Sequence, residues 1–213
     1  QGCSKGRTVM EQQTEEWFAA RAGKVTASRV VDLMAKTKSG YSASRENYMA
    51  QLVVERFTGG KGESFTNAAM AWGNEQEPFA RAAYEAREGV FVDEVGFVPH
   101  PSIKDAGASP DGLVEGDGLV EIKCPNTATM IDVLINETVA RKYYMQMQMQ
   151  MACTERQWCD YVVFDPRMPE NAQMFVKRVA RDNAFILEME GEITKFLEEL
   201  NVKFEVLKTK LGA

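Results

Sequence analysis

The segment ASPDGLVEGDGLVEIKCP, residues 108–125, carries two carboxylates and a lysine at a spacing that could build one site. The Glu-Gly-Asp-Gly turn between two apolar runs is a strong hairpin signal, and folding about Gly116 and Asp117 sets Asp111 opposite Glu121 and Ile122. A slip of one residue would send the Asp111 side chain to the other face. Glu121 and Lys123 are two apart on one strand and share a face, while Ile122 points to the core and leaves its main-chain carbonyl available. Two carboxylates and a carbonyl are hard oxygen donors that suit Mg2+ or Mn2+. A lysine beside them suits a phosphate or a hydroxide. Taken alone, this spacing arises often by chance and reads equally well as a hairpin with its charges in water. The Ser-Pro-Asp-Gly turn before it and the Lys-Cys-Pro ending after it make the pattern more specific.

Other reactive residues mainly exclude chemistry. His100 is the only histidine, so chemistry built on a His base or on several His ligands is nearly excluded. Cys3, Cys124, Cys153 and Cys159 are scattered without CxxC pairs. This speaks against zinc, an iron–sulfur cluster or a secreted disulfide framework, and for a reducing, cytoplasmic setting. The segment YYMQMQMQM, residues 143–151, alternates with the period of a strand. Yet Met and Gln are good helix formers and not typical strand residues. On a helix, Gln146 and Gln150 share one face.

The elements that must position these residues follow from caps and periodicity. Thr14 caps a helix through EEWFAARA, closed by Gly23. VTASRVVDLMAK gives a turn and a second helix, with Thr26 or Ser28 as N-cap. Ser42 or Ser44 starts a third, which Gly59-Gly60 stops. Asn67 to Glu88 reads as a long helix ended by Gly89. Residues 90–124 are strand-rich, helical text returns over 127–154, and two strands follow in QWCDYVVFDP and QMFVKRVAR. The last helix carries Ile186, Met189, Ile193, Phe196 and Leu200 as one apolar stripe. The order predicts a single α/β domain over residues 1–213, a mixed central sheet flanked by helices, with residues 1–13 a flexible N-terminus or an expression remnant.

The 213 residues are 45% hydrophobic and 26% charged, with no apolar run of bilayer length and no signal-peptide pattern, so no membrane partner is expected. The net charge of −6 is unevenly spread. Arg21 to Arg45 holds six cations and one anion; Asp182 to Leu200 holds six anions and one cation. Such a map could hold a polyanion on one face, or could simply be solvated helix surfaces.

Six motifs in order, WFAARAGKVTASRV, AWGNEQE, GASPDGL, GLVEIKCP, the Tyr-Met-Gln segment and FDPRM, resemble the phage lambda exonuclease family. These are the YqaJ-like viral recombination nucleases of the PD-(D/E)XK superfamily. The resemblance runs from about residue 14 to 200. It implies a restriction-endonuclease-like core and a Mg2+-dependent 5′→3′ exonuclease, with Mn2+ as a substitute. Its substrate would be double-stranded DNA with a free end, and its form a ring-shaped homotrimer in the cytoplasm of a phage's bacterial host. The remaining 3′ strand would pass to a single-strand annealing protein. The resemblance also assigns roles. Asp111, Glu121 and the Ile122 carbonyl match metal ligands, Lys123 the catalytic lysine, and Glu77 a helix glutamate completing the site. Gln146 matches a glutamine facing the attacking water, with the flanking methionines as core and Gln148 and Gln150 structural. Arg21, Ser28 and Ser109 match a pocket for the 5′ phosphate. Met70 stands where the family has a wedge that parts the terminal base pair, with core packing as the other reading. Where the family carries an arginine five residues after the motif cysteine, this chain has Thr129, so the pocket is weaker or assembled differently. The same core also serves endonucleases, junction resolvases and inactive DNA-binding modules; intact Asp111, Glu121 and Lys123 argue against the last.

Overall fold

Alternation along the motif strand places it between two apolar layers. The structure is a computed structural model that describes residues 10–60 and 67–212; Cys3 and the first nine residues of the expected tail lie outside these. Helix α1 (Glu15–Arg21) is capped by Thr14, whose hydroxyl accepts from the Trp17 amide. Strand β1 (Val25–Thr26), a 3-10 turn (Ala27–Arg29) and helix α2 (Val30–Leu33) follow. Thr26 and Ser28 make no side-chain cap here, contrary to expectation, because Thr26 is taken up in a strand. A small hairpin, β2 (Lys36–Thr37) and β3 (Gly40–Tyr41), precedes α3 (Ala43–Thr58), and α4 (Ala68–Glu88) starts on the Asn67 cap and ends at Gly89. Gly89 sits at φ 69°, the left-handed region where glycine has no Cβ penalty.

The strands then come in quick succession: β4 (Val92–Asp93), β5 (Val98–Pro99), β6 (Ala106–Ala108), β7 (Gly112–Val114) and β8 (Gly118–Lys123). Helical text from 127 to 154 is two helices, α5 (Thr127–Asn136) and α6 (Arg141–Thr154), because Glu137 turns into the left-handed region at φ 50°. Strands β9 (Trp158–Phe164) and β10 (Met174–Ala180) and helix α7 (Asn183–Leu211) complete the chain. The main sheet has the order β10-β9-β8-β7-β4, with β8 and β9 parallel and the other pairs antiparallel. A second sheet, β1-β6-β5, pairs β1 parallel to β6.

Neighbouring residues on β8 and β9 face opposite layers. Val120, Ile122, Val162 and Phe164 pack on Ala80 and Tyr84 of α4. Leu119, Tyr161 and Val163 pack on Met130 of α5 and on Met147 and Met151 of α6. Glu121 and Lys123 share the parity of Leu119 and so face α6, not water. Helix α6 is enclosed on several sides: Met145 and Met149 join the core built by α2, α3 and α7, whereas Met147 and Met151 join the sheet. With about 3.6 residues per turn, the alternating Met and Gln resolve into four faces of one buried helix. The apolar stripe expected on α7 is the buried one.

The basic and acidic segments meet in two ion pairs. Lys36 pairs with Glu192 at 2.7 Å and Arg45 with Glu199 at 2.6 Å, while Arg29 pairs with its neighbour Asp32. Part of the charge of the basic segment is thus taken up by ion pairs inside the protein. No helix among the described residues is long and apolar enough to cross a membrane.

Close packing at the hairpin base gives a stability test. A Cβ on Gly118 would lie 2.1 Å from the Trp158 ring, and Arg178 stacks on that ring at 3.5 Å. Gly118→Ala is expected to lower unfolding free energy by about 1–3 kcal/mol in urea titrations. An unchanged midpoint would mean that the ring yields freely.

Candidate active site

The hairpin register brings the carboxylates together. Gly112 pairs with Val120, Leu113 with Leu119 and Val114 with Gly118. One step outward, the Ile122 amide donates to Asp111 Oδ2 at 2.7 Å. Arg156 fixes the turn by donating from Nη1 to the carbonyls of Val114, Glu115 and Gly118.

Glu121 is fully buried, and three polar side chains hold its carboxylate. Lys123 forms an ion pair with Oε1, to which Gln146 also donates at 2.7 Å. Gln150 donates to Oε2 at 2.6 Å. Burial lowers the affinity of the Lys123 amine for its proton, but the Glu121 and Asp111 charges outweigh this and hold it protonated. Burial, then the charge of Glu121, pushes the Asp111 carboxyl well above the usual range, with Lys123 opposing. Crowded carboxylates with too little positive charge make a site that a divalent cation would relieve.

Glu77 comes from α4 and is held by Arg81 at 2.8 Å. Burial raises its pKa, against the charges of Arg81 and Lys123. A cavity of about 470 Å³ opens beside it, lined among others by Met70, Glu77, Ile122, Lys123 and Tyr143. Met70 is 51% exposed at its edge, so it is not the core methionine of the alternative reading. Among the described residues, no three Asp, Glu, His or Cys side chains close on one point as a complete metal cage. The oxygens that could hold a cation here are those of Asp111, Glu121 and the Ile122 carbonyl, while Glu77 is paired with Arg81. Such an open, all-oxygen set fits Mg2+, which keeps several waters when protein-bound.

Arg21 meets Ser109, two residues before Asp111. Arg21 Nη1 donates to Ser109 Oγ at 3.0 Å, as does the Trp17 indole N–H, and the guanidinium stacks on the Trp17 ring at 4.0 Å. Burial lowers the Arg21 pKa, with Tyr48 and Glu55 opposing. Ser28 is exposed on the 3-10 turn. Because β1 and β6 run parallel, this turn and Ser109 leave the small sheet from the same end. Thr129 is exposed on the first turn of α5, where its amide is capped by Asn126.

Three features escape a reading of the sequence. Gln150 holds Glu121 as Gln146 does; their shared i, i+4 face was the available signal. Gln148 instead bridges Ala180 and Asp182. Trp17 orders the Arg21 pair. In FDPRM, buried Asp165 accepts from Thr127 and Arg167, and Arg167 donates to the Pro125 carbonyl, which braces the chain just after the motif strand.

A mixed sheet flanked by helices, with Glu121 and Lys123 near the end of its central strand and Asp111 beside them just ahead of β7, defines a nuclease of the PD-(D/E)XK class. The YqaJ-like viral recombinase domain pattern matches residues 16–157, and the chain belongs to that family. The structure is similar to that of LHK-Exo, an alkaline exonuclease from Laribacter hongkongensis, at 53% identity and a TM-score of 0.88, covering 93% of this chain and 98% of that one. LHK-Exo has also been crystallised in complex with dAMP. A phage-related exonuclease from Haemophilus somnus 129PT shares the fold at 14% identity and a TM-score of 0.69, covering 88% of this chain and 96% of that one. An uncharacterized protein, R354, of Acanthamoeba polyphaga mimivirus is 26% identical over 166 residues, which is 71% of this chain and 29% of that protein. The chain therefore spans under a third of that relative.

Proposed function

We propose that this protein is a Mg2+-dependent 5′→3′ exonuclease, with Mn2+ able to substitute, that degrades one strand of linear duplex DNA from a free end. The 3′ strand left behind would serve recombination by a single-strand annealing protein in the bacterial cytoplasm. The observation that carries this reading is Glu121, fully buried yet gripped by Lys123 and two glutamines beside Asp111. A fully buried carboxylate beside a second, half-buried one is a poor stability device and a good ligand set.

Asp111, Glu121 and the Ile122 carbonyl would hold the ion, which when bound supplies Lewis-acid polarisation of the scissile phosphodiester and acidifies water. Lys123, a donor and not a ligand, orients the attacking water and steadies its developing charge. Gln146 holds Glu121 Oε1, the oxygen that Lys123 also meets, and would guide that water. Glu77 supplies a further carboxylate at the cavity wall. Met70, exposed on the cavity wall, would wedge the terminal base pair, and Arg21, Ser28 and Ser109 would take the 5′ phosphate. A ring of three subunits would keep the enzyme on its duplex; large exposed apolar side chains such as Phe91 and Ile135 are surface that subunits commonly bury.

Incubating linear and covalently closed circular duplex with Mg2+ tests the activity. Digestion of linear DNA alone is expected. Cutting of circles would mean an endonuclease, and inertness on both a binding module.

The end-recognition part has its own test. Charge-assisted contacts to a phosphate are each worth roughly 1.5–3 kcal/mol. Arg21→Ala is thus expected to lower the ratio of initial rates on 5′-phosphorylated over 5′-hydroxyl ends by about ten-fold at fixed salt. It should also shorten digestion runs. An unchanged ratio would make Arg21 a packing partner of Trp17 only.

A further inference from the structure

We infer that Gln150 is a positioning residue of the nuclease centre: its amide holds Glu121 Oε2, so that the carboxylate presents Oε1 alone toward the cavity. This rests on the reading of Asp111 and Glu121 as metal ligands. The two oxygens of Glu121 have different surroundings. Oε1 meets Lys123, which lines the cavity, and Gln146, which is only partly buried. Oε2 meets Gln150 at 2.6 Å, and Gln150 is as fully buried as Glu121.

Packing alone gives no reason for a glutamine at this position. Met149 and Met151 on either side are fully buried in apolar clusters, and methionine has nearly the same length and shape. Gln150 brings a cost that methionine would avoid, because its Oε1 has no hydrogen-bond partner among the described residues. Its orientation is nonetheless forced. Turned round, the amide would aim its carbonyl at a carboxylate with no proton between them, whereas the observed arrangement directs the N–H there. The unmet carbonyl is what remains once the donor end is committed to Glu121. Residues that hold a metal ligand in this way fix its rotamer and commonly change metal affinity about 10–100-fold when removed.

Gln150→Met tests this, with Mn2+ binding to the DNA-free protein read by calorimetry and digestion rate read against Mg2+ concentration. The expected result is about ten-fold or more weaker Mn2+ binding and a matching rise in the Mg2+ needed for half-maximal rate. The rate at saturating Mg2+ should return to within a few-fold of wild type, a recovery that general loss of packing would not allow. Glu121→Ala runs alongside. If it abolishes Mn2+ binding while Gln150→Met binds normally, the inference fails and the nuclease reading stands. If Mn2+ binding survives Glu121→Ala, the metal-site reading itself fails and takes the inference with it. Should Gln150→Met not fold, a crystal structure of the wild type with Mn2+ decides. The ion is expected on Oε1 with Gln150 still bonded to Oε2; chelation by both oxygens with Gln150 displaced overturns the assignment.

Discussion

Asp111→Asn is expected to lower turnover by about a thousand-fold or more, since a metal centre contributes several kcal/mol to phosphoryl-transfer barriers. The chain should stay folded and still bind duplex ends. Asparagine keeps the shape and can still accept from the Ile122 amide, the contact that ties β7 to β8. It removes a charge that burial and Glu121 already disfavour, so the melting temperature without divalent metal should lie at or above that of wild type. Glu121→Ala is a less clean probe of catalysis. It would strand buried Gln150 and half-buried Lys123 and Gln146 as donors around a gap, and an unmet buried donor costs about 1–3 kcal/mol. Activity and end binding in Mg2+, with a melting curve for each variant, separate the two cases. Near-normal turnover in Asp111→Asn would remove Asp111 from the ligand set.

Lys123→Ala should lower turnover by about 10²–10⁴, the usual contribution of a positioned proton-transfer or charge-stabilising group. Its amine is held protonated by Glu121 and Asp111, so it acts as a donor and cannot be a ligand. The loss should therefore persist at every Mg2+ concentration, while Mn2+ affinity holds or rises as a competing cation leaves the carboxylates. Recovery of rate at high Mg2+ would show instead that Lys123 matters only through metal binding.

Where structure is local, the sequence spells it out. Asn67 and Gly89 bound α4, and the Glu-Gly-Asp-Gly turn sets the register that brings Asp111 to Glu121, because caps and turns are read within a few residues. The helix break at Glu137 was hidden, since a glutamate at positive φ carries no glycine or proline to mark it. Strand β1 was hidden as well: two residues gain strand geometry only from their parallel partner β6, some eighty positions away. The site divides the same way. That Gln146 and Gln150 share a face follows from helical spacing. That this face meets β8, and that Glu121 points to α6 and not to water, depends on which layer each strand parity faces. No local pattern encodes that choice. The resemblance to a family singled out Gln146, and geometry was needed to add Gln150. Charge composition did not show which cations are taken up in ion pairs, because pairing between the basic segment and α7 depends on tertiary contact.

Polarity of digestion tests the central claim most directly. A linear duplex carrying one label at the 5′ end of a strand and another at its 3′ end is incubated with wild-type protein and Mg2+, and products are followed from the first turnovers. The account predicts immediate release of the 5′ label in mononucleotide, with the complementary strand left intact as a 3′ single strand, and no release without divalent metal or with Asp111→Asn. Release of the 3′ label first, internal cutting that frees both labels on long fragments, or undiminished digestion by Asp111→Asn would contradict it.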